Sequence, residues 1–373
     1  MENMKIAHFL YDDIDNPWLG GGGSSRLLDL YYRFPESVKI TVFTASFPNA
    51  KKTIRRRNVK FIRLGLNYNY LISRLTYMIS AFFRIFLIDA DISIEDFSPY
   101  SPFFLPLVKK NHSIVIFQNI FGSHFFKIRG LLGIFPWLFE KIYIKFSKTI
   151  MTSSFKLARI IKQNKKLPYS ICPVPCGVDE NCFRTTPQEN NYILFLGRLD
   201  IYQKGIDTLL NAYNLAKEEI EDIRLVIAGG GKDEKKVRQL IDKLNLKDQV
   251  EMLGRVEGER KYELLSNCLF LCMPSRFESW GIVAAEGMAC AKPVIATRIE
   301  GLDEVIDVET GVLIPPDDPH ALARAMMNLA KDKELRNRLG KKAREKAREY
   351  DWQKRADATL QFYQQHLQRI RSG

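Results

Sequence analysis

Two cations and two carboxylates stand at spacings suited to a diphosphate and a set of hydroxyls. Arg198 follows the apolar run NYILFLG, and Lys204 lies six residues further on in GRLDIYQKG. Such a run reads as a buried strand, so both side chains can leave its carboxyl end. Arginine offers a planar fork and lysine a point charge, a pairing that suits a diphosphate. Glu278 and Glu286 sit eight positions apart in PSRFESWGIVAAEGMACAKPVIA. Pro274 and Ser275 are expected to end a strand, Glu278 to lie in the following loop and Gly281 to start a helix. The first N–H groups of that helix, near Ile282 and Val283, would favour an anion. A carboxylate accepts two or more O–H bonds, so these glutamates can hold adjacent hydroxyls. A lone loop glutamate reads equally well as a solvated charge. Glu286 is different: among Val283, Ala284, Ala285 and Met288, a carboxylate without a partner is costly.

Two glycine-rich turns add to this set. Gly20 to Gly23 follow the first apolar run in DNPWLGGGGSSRLLDLYYRF, and Ser24 or Ser25 is expected to cap a helix. Gly21, Gly22 and Gly23 are candidates for a phosphate or sugar contact, with a flexible surface loop as the alternative. Neither the GxGxxG fingerprint with a downstream acid nor a GK[ST] loop is present. Gly229 to Gly231, in LVIAGGGKD, form another strand-to-helix turn that tight packing would also explain.

The elements that must position these residues alternate along the chain. KIAHFLY, VKITVFTA, ADISIED and SIVIFQ read as strands in the first half. NYILFLG, IRLVIAG, VEMLG, CLFLCMPS and PVIAT do so in the second, with helical segments such as 205–216, 233–244 and 261–266 between them. Short apolar runs alternating with amphipathic helices imply parallel sheets covered on both faces. The expected class is α/β with two Rossmann-like doubly wound domains, and ligands are expected in a cleft between their facing edges. The length of 373 residues also suits about two domains. The Pro- and Gly-bearing stretch 167–183 is the expected boundary, giving domains 1–175 and 176–350 and a long terminal helix over 351–373.

Composition narrows the partners. Residues 1–180 hold 25 Lys and Arg against 13 Asp and Glu, so almost all of the net charge of +13 falls in the first half. That half is expected to meet nucleic acid, anionic lipid or a phosphorylated substrate, or to be simply a soluble basic face. No RRM, KH or helix-turn-helix pattern appears, which argues against nucleic acid. The six cysteines form no CxxC pair and have no histidine close by, so no metal site is expected. They read as small buried residues in a reducing compartment. The start MENMKIAHFLY shows no secretory signal, and a cytoplasmic protein is expected. TYMISAFFRIFLI (76–88) and LLGIFPWLFEKIYIKF (131–146) are too interrupted by charge to span a bilayer. They read as interfacial amphipathic helices or as core helices.

GRLDIYQKG, LVIAGGG, PSRFESWGIVAAEGMACAKPVIA and EGLDEVIDVETGVLIPPDDPHALARAM together resemble the retaining glycosyltransferases of family four. The likeness is dense over about 190–350. It is thinner in the first half, where WLGGGGSSR and the VPCGVD linker still match. The resemblance implies the GT-B fold, with an acceptor-binding first domain, a nucleotide-sugar-binding second domain and a terminal helix that crosses back onto the first. It further implies that Arg198 and Lys204 bind the donor diphosphate, that Glu278 contacts the transferred sugar and that Glu286 holds the ribose. Gly281, Ile282 and Val283 would flank the phosphates with Gly21, Gly22 and Gly23, and Arg255 and Val256 would lie by the base. Gln118 stands where many members carry a histidine, with His124 six residues later, and both are candidates for the sugar pocket. Glu300-Gly301 replaces a usual Gly-Gly. The expected reaction is sugar transfer from a nucleoside diphosphate sugar to a hydroxyl of a glycan or lipid-linked acceptor, with retention and without a metal. Synthesis of a cell-surface polysaccharide or glycolipid is the expected setting. Peripheral association with an anionic membrane is expected from the basic first half and its aromatics Phe103, Phe104, Phe125, Phe126, Phe135, Trp137 and Phe139. A nucleotide-sugar epimerase of the same fold and a basic nucleic-acid binder are the alternatives.

Overall fold

The computed structural model describes residues 4–18, 22–122, 125–126, 130–164 and 170–372. The chain forms two compact units, one from residues 1–175 with 352–373 and the other from 176–351. The first holds strands β1 (Lys5–Phe9), β2 (Lys39–Ala45), β3 (Thr53–Arg56), β4 (Val59–Leu64), β5 (Ile92–Asp96), β6 (Ser113–Phe117), β7 (Thr149–Thr152) and β8 (Ser170–Pro173). Their order is β3-β4-β2-β1-β5-β6-β7-β8. Every pairing is parallel except β3 with β4. Helices cover both faces, so β5 and β6 are buried along their whole length. The closing helix Trp352–Ser372 belongs to this unit: Tyr363 meets Phe34 edge-on, and His366 Nδ1 lies 3.2 Å from Thr149 Oγ1.

β3, β4, β7, β8 and the later strand Gly311–Ile314 do not stand out in the sequence. TIRR is charged and sits at the sheet edge, and the others are four to six residues long. Packing rather than pattern holds such short strands in place.

Glu95 lies fully buried on strand β5. Tyr143 donates its hydroxyl to Glu95 Oε1 (2.6 Å), and the Leu105 amide donates to Oε2 (3.1 Å). Burial drives its pKa up to about 8, against the partial relief of these bonds. The folded pKa therefore lies above the unfolded one. The stability this group contributes is complete below about pH 4.5 and is lost as pH rises through about 8. Chemical denaturation between pH 5 and 8 should show stability falling with pH by up to about 1.4 kcal/mol per unit from this group. Glu95→Gln should flatten that slope, and an unchanged slope would show that Glu95 is charged throughout.

The second unit holds β9 (Tyr192–Leu196), β10 (Arg224–Ala228), β11 (Val250–Gly254), β12 (Phe270–Met273), β13 (Val294–Thr297) and β14 (Gly311–Ile314). All are parallel, in the order β11-β10-β9-β12-β13-β14. The chain winds outward from β9 to one edge, returns to β12, and winds outward to the other. The strand order thus reverses between β9 and β12. In an open parallel sheet that is where two successive loops diverge and leave room for a ligand.

Candidate functional site

The loops after β9 and β12 carry the residues singled out by type and spacing. After β9 the chain passes Arg198 into the short helix Ile201–Lys204, capped by Asp200, whose Oδ1 accepts the Gln203 amide (3.0 Å). Gly205 ends that turn with φ 63°, and a Cβ there would lie 2.0 Å from the carbonyl oxygen of Pro274. Only glycine lets the two loops approach so closely. Gly301 closes in from the other side at φ 93°, where a Cβ would sit 2.4 Å from the Glu278 carbonyl oxygen. The loop Pro274–Gly281 is thus held between two backbone contacts that exclude any side chain. Helix Ile282–Ala289 starts directly after it, with Gly281 as its N-cap and no side chain capping its first N–H groups.

The side chains follow from this frame. Lys204 Nζ lies 2.5 Å from Glu278 Oε2, and both side chains are largely sheltered, at 13% and 15% exposed. Ser275 donates its hydroxyl to the same oxygen at 3.4 Å. Arg198 is exposed, and its Nη2 donates to Gln203 Oε1 (2.9 Å). Lys204, Glu278, Gly281, Ile282 and Val283 are therefore brought together around one helix N-terminus, with Arg198 at the start of the same turn.

Arg276 ties the two loops to each other, and nothing in its sequence setting singles it out. Its amide donates to the Gln203 carbonyl (2.9 Å), and its Nη1 donates to Ile201 O (3.0 Å). Its guanidinium also pairs with Asp207 (2.9 Å) and Asp317 (2.5 Å), which raise its pKa further. Arg276→Ala should cost about 2 kcal/mol of stability and free the Ile201–Lys204 turn. Thermal melts would read the first effect. A nucleotide affinity reduced by about tenfold would read the second, and native affinity would remove the positioning role.

Glu286 lies one turn along the same helix and is only 6% exposed. Burial raises its pKa, and the Lys261 ammonium opposes that shift. Lys261, on helix Gly258–Asn267, donates from Nζ to Glu286 Oε1 at 2.7 Å. Burial lowers the Lys261 pKa, but its neighbours, the Glu286 carboxylate foremost, oppose this and the net shift is upward. The pair is thus an ammonium and a carboxylate, with one carboxylate oxygen held toward Lys261. Next to it Tyr262 donates its hydroxyl to Asp179. A lysine in a charged helix normally reads as solvated surface, so nothing in the sequence singles out Lys261.

Arg255 is exposed at the edge strand β11 and pairs with Glu257 (2.6 Å), and Val256 beside it is half-buried. Gly229 packs against the Gly197 carbonyl, so that turn has a packing role. In the first unit the helix Gly22–Tyr31 begins at Gly22, so Ser24 and Ser25 lie inside its first turn and do not cap it. The Asp12 carboxylate takes the Gly23 and Ser24 amides, and burial, the larger influence, raises its pKa to about 6. Asp12 thus lies against the amides at the start of this helix. Gln118 follows β6 and donates from Nε2 to Asp96 Oδ2 (3.1 Å). Gly21 and His124 lie outside the described residues. All six cysteines are free thiols, five of them buried. Among the described residues no three His, Cys, Asp or Glu side chains cluster as a metal site would require.

Residues 180–346 match the family model of the glycosyl transferases group 1. That span takes in the whole β9–β12 switch point with Arg198, Lys204, Glu278 and Glu286. An uncharacterized glycosyltransferase of Methanocaldococcus jannaschii is 38% identical over 176 residues, 47% of this chain and 48% of the relative. A phosphatidyl-myo-inositol mannosyltransferase of Mycobacterium leprae is 33% identical over 199 residues, 51% of this chain and 52% of the relative. The chain thus aligns with about half the length of these curated relatives. Structural likeness reaches further. The sucrose-phosphate synthase of Thermosynechococcus elongatus superimposes with a TM-score of 0.83 at 22% identity, covering 97% of this chain and 98% of that one. Anabaena HepE, solved with UDP and glucose, gives 0.74 at 17% identity over 96% and 99%. The fold is GT-B, two parallel-sheet α/β domains.

Proposed function

We propose that the protein transfers a sugar from a nucleoside diphosphate sugar to a hydroxyl of a glycan or lipid-linked acceptor, with retention at the anomeric carbon. The observation that carries the reading is the Lys204–Glu278 pair beside the uncapped start of helix Ile282–Ala289, at the strand-order reversal. The group 1 match over 180–346 and the nucleotide complex of HepE support it.

In this reading the second unit binds the donor. The ammonium of Lys204, the guanidinium of Arg198 and the N–H groups at Ile282 and Val283 meet the negative charge that grows on the leaving diphosphate. Glu278, held by Lys204 and Ser275, presents its carboxylate to sugar hydroxyls. Glu286, with one oxygen fixed by Lys261, accepts the ribose hydroxyls. The leaving phosphate oxygen takes the acceptor proton, so no strong protein base is required. The cations supply the charge neutralisation, and no metal is assigned a role. The first unit takes the acceptor, at the cytoplasmic face of a membrane where surface polysaccharide or glycolipid is built.

A panel of UDP-, GDP- and ADP-sugars, assayed for nucleotide release with and without EDTA, tests this. Release from one donor class that persists in EDTA is the expected result. No release from any of them at millimolar donor would contradict the reading, and release abolished by EDTA would overturn the metal-free assignment.

A further inference from the structure

The first unit carries two features that the donor site does not use: a strong positive balance and an apolar outer surface. It holds 29 Lys and Arg against 12 Asp and Glu, while the second unit holds 27 against 31. Among the described residues, 18 of the 21 exposed large apolar side chains belong to the first unit, so the excess is a property of that unit and not of the surface at large.

Helix Tyr70–Phe86 shows how this arises. Its inner row, Ser73, Tyr77, Ala81 and Ile85, is buried against the sheet. A second row at the same four-residue spacing, Leu71, Leu75, Ile79 and Phe83, is offset by two residues and faces outward at 69%, 57%, 52% and 61% exposed. A helix with only a sheet to cover needs one apolar face; this one has two. The turn Gly130–Gly133 and helix Ile134–Phe146 also expose apolar side chains, with Leu131 90%, Leu132 71% and Phe135 59% exposed. Both helices lie on the same side of the sheet. Phe103 packs on Tyr77 (6.4 Å between rings), and its neighbour Phe104 packs on Phe139 (5.7 Å). Lys141 and Lys145 are exposed on the second helix, Lys141 Nζ 6.0 Å from the Trp137 ring and Lys145 Nζ 5.4 Å from the Phe146 ring. Such lysines keep their stems on apolar surface and their charge outside it.

We infer that this side of the unit, with the outer row of helix Tyr70–Phe86 and the turn and helix start at 131–135, seats the first unit on an anionic bilayer surface. Apolar side chains rimmed by cations match headgroups that are negative over an apolar interior. A second copy of the chain fits less well, because each copy would bring the same positive excess to the interface. Insertion across the bilayer is not the mode: no described helix is long and apolar enough, and Arg74 and Arg84 interrupt this one. Phe103 and Phe125, expected from the sequence to face lipid, are core residues, and of the seven aromatics named only Phe126 and Phe135 are exposed. The inference extends the membrane-surface acceptor proposed above, yet it stands on a face remote in sequence from the donor residues and is read without donor.

The test is flotation of the full chain with vesicles of 60% phosphatidylcholine and 40% phosphatidylglycerol. Binding at low salt, weakening as salt rises and falling on pure phosphatidylcholine, is expected. The triple variant Leu75→Ser, Ile79→Ser, Phe83→Ser, and separately Leu131→Ser, Leu132→Ser, Phe135→Ser, should each reduce partitioning by about tenfold or more with native circular dichroism and melting temperature. Nucleotide release from a soluble donor should be unaltered, so a dead enzyme that still floats would refute the transfer reading and leave this one standing. Absence of binding at low salt, or native binding by both triple variants, would overturn the inference. So would gel filtration showing a dimer that the substitutions split while flotation is unchanged.

Discussion

Lys204→Ala is expected to lower kcat/KM by about a thousandfold, mostly through kcat, while the protein stays folded. Two losses combine. The ammonium no longer meets the diphosphate charge that grows at the transition state. The sheltered Glu278 carboxylate also loses the cation 2.5 Å from it, so its loop no longer has one preferred position. Lys204→Arg should recover part of the rate, since charge returns in a bulkier and planar form. Steady-state kinetics beside a thermal melt would separate these outcomes. A Lys204→Ala protein with kcat/KM within a few-fold of the parent would remove Lys204 from the site.

Glu286 and Lys261 carry the second large effect. Glu286→Ala should weaken nucleoside diphosphate binding by about 30- to 100-fold, the loss of about 2–3 kcal/mol from a carboxylate accepting hydroxyl bonds. Lys261→Met acts differently. It leaves Glu286 buried beside Asp179 and the thiols of Cys182 and Cys290, with its compensating cation removed. The Glu286 pKa, already raised by burial, then rises further. An acceptor carboxylate is lost as pH falls through its pKa, so the acid limb of nucleotide binding should move to higher pH in Lys261→Met. Lys261→Arg should restore it. Adding Glu286→Gln to Lys261→Met should return stability lost in the single variant, because the unpaired charge is gone. Titration calorimetry from pH 5 to 8 reads the first two, and thermal melts read the third. A pH profile that does not move would show that Lys261 acts only in packing.

The parts of this site that could be read from the sequence are those fixed by local order. Lys204 and Glu278 follow apolar runs at a set distance, and a strand's carboxyl end places whatever comes next. Gly281 before an apolar run marks a helix start in the same way. The unread parts depend on partners distant in the chain. Arg276 reaches Asp207, 69 residues away, and Lys261 reaches Glu286, 25 residues away. Neither partner can be inferred from its neighbours, and each lysine or arginine alone looks like surface. Asp12 is likewise not legible from its neighbours: it lies twelve residues before Ser24, and its carboxylate meets the Gly23 and Ser24 amides at the helix start. The outer row of helix Tyr70–Phe86 was visible only as an apolar, charge-broken segment, because a sequence does not say which of two apolar faces the sheet will cover.

The central claim is that the β9–β12 switch point binds a nucleoside diphosphate. A crystal structure of the protein with UDP, or with the diphosphate of whichever sugar nucleotide turns over, tests it most directly. The account predicts diphosphate oxygens about 3 Å from Lys204 Nζ and from the backbone N–H of Ile282 or Val283, with ribose hydroxyls on Glu286. A nucleotide bound elsewhere in the chain, or ordered at this place with its phosphates turned away from Lys204 and the helix start, would contradict it.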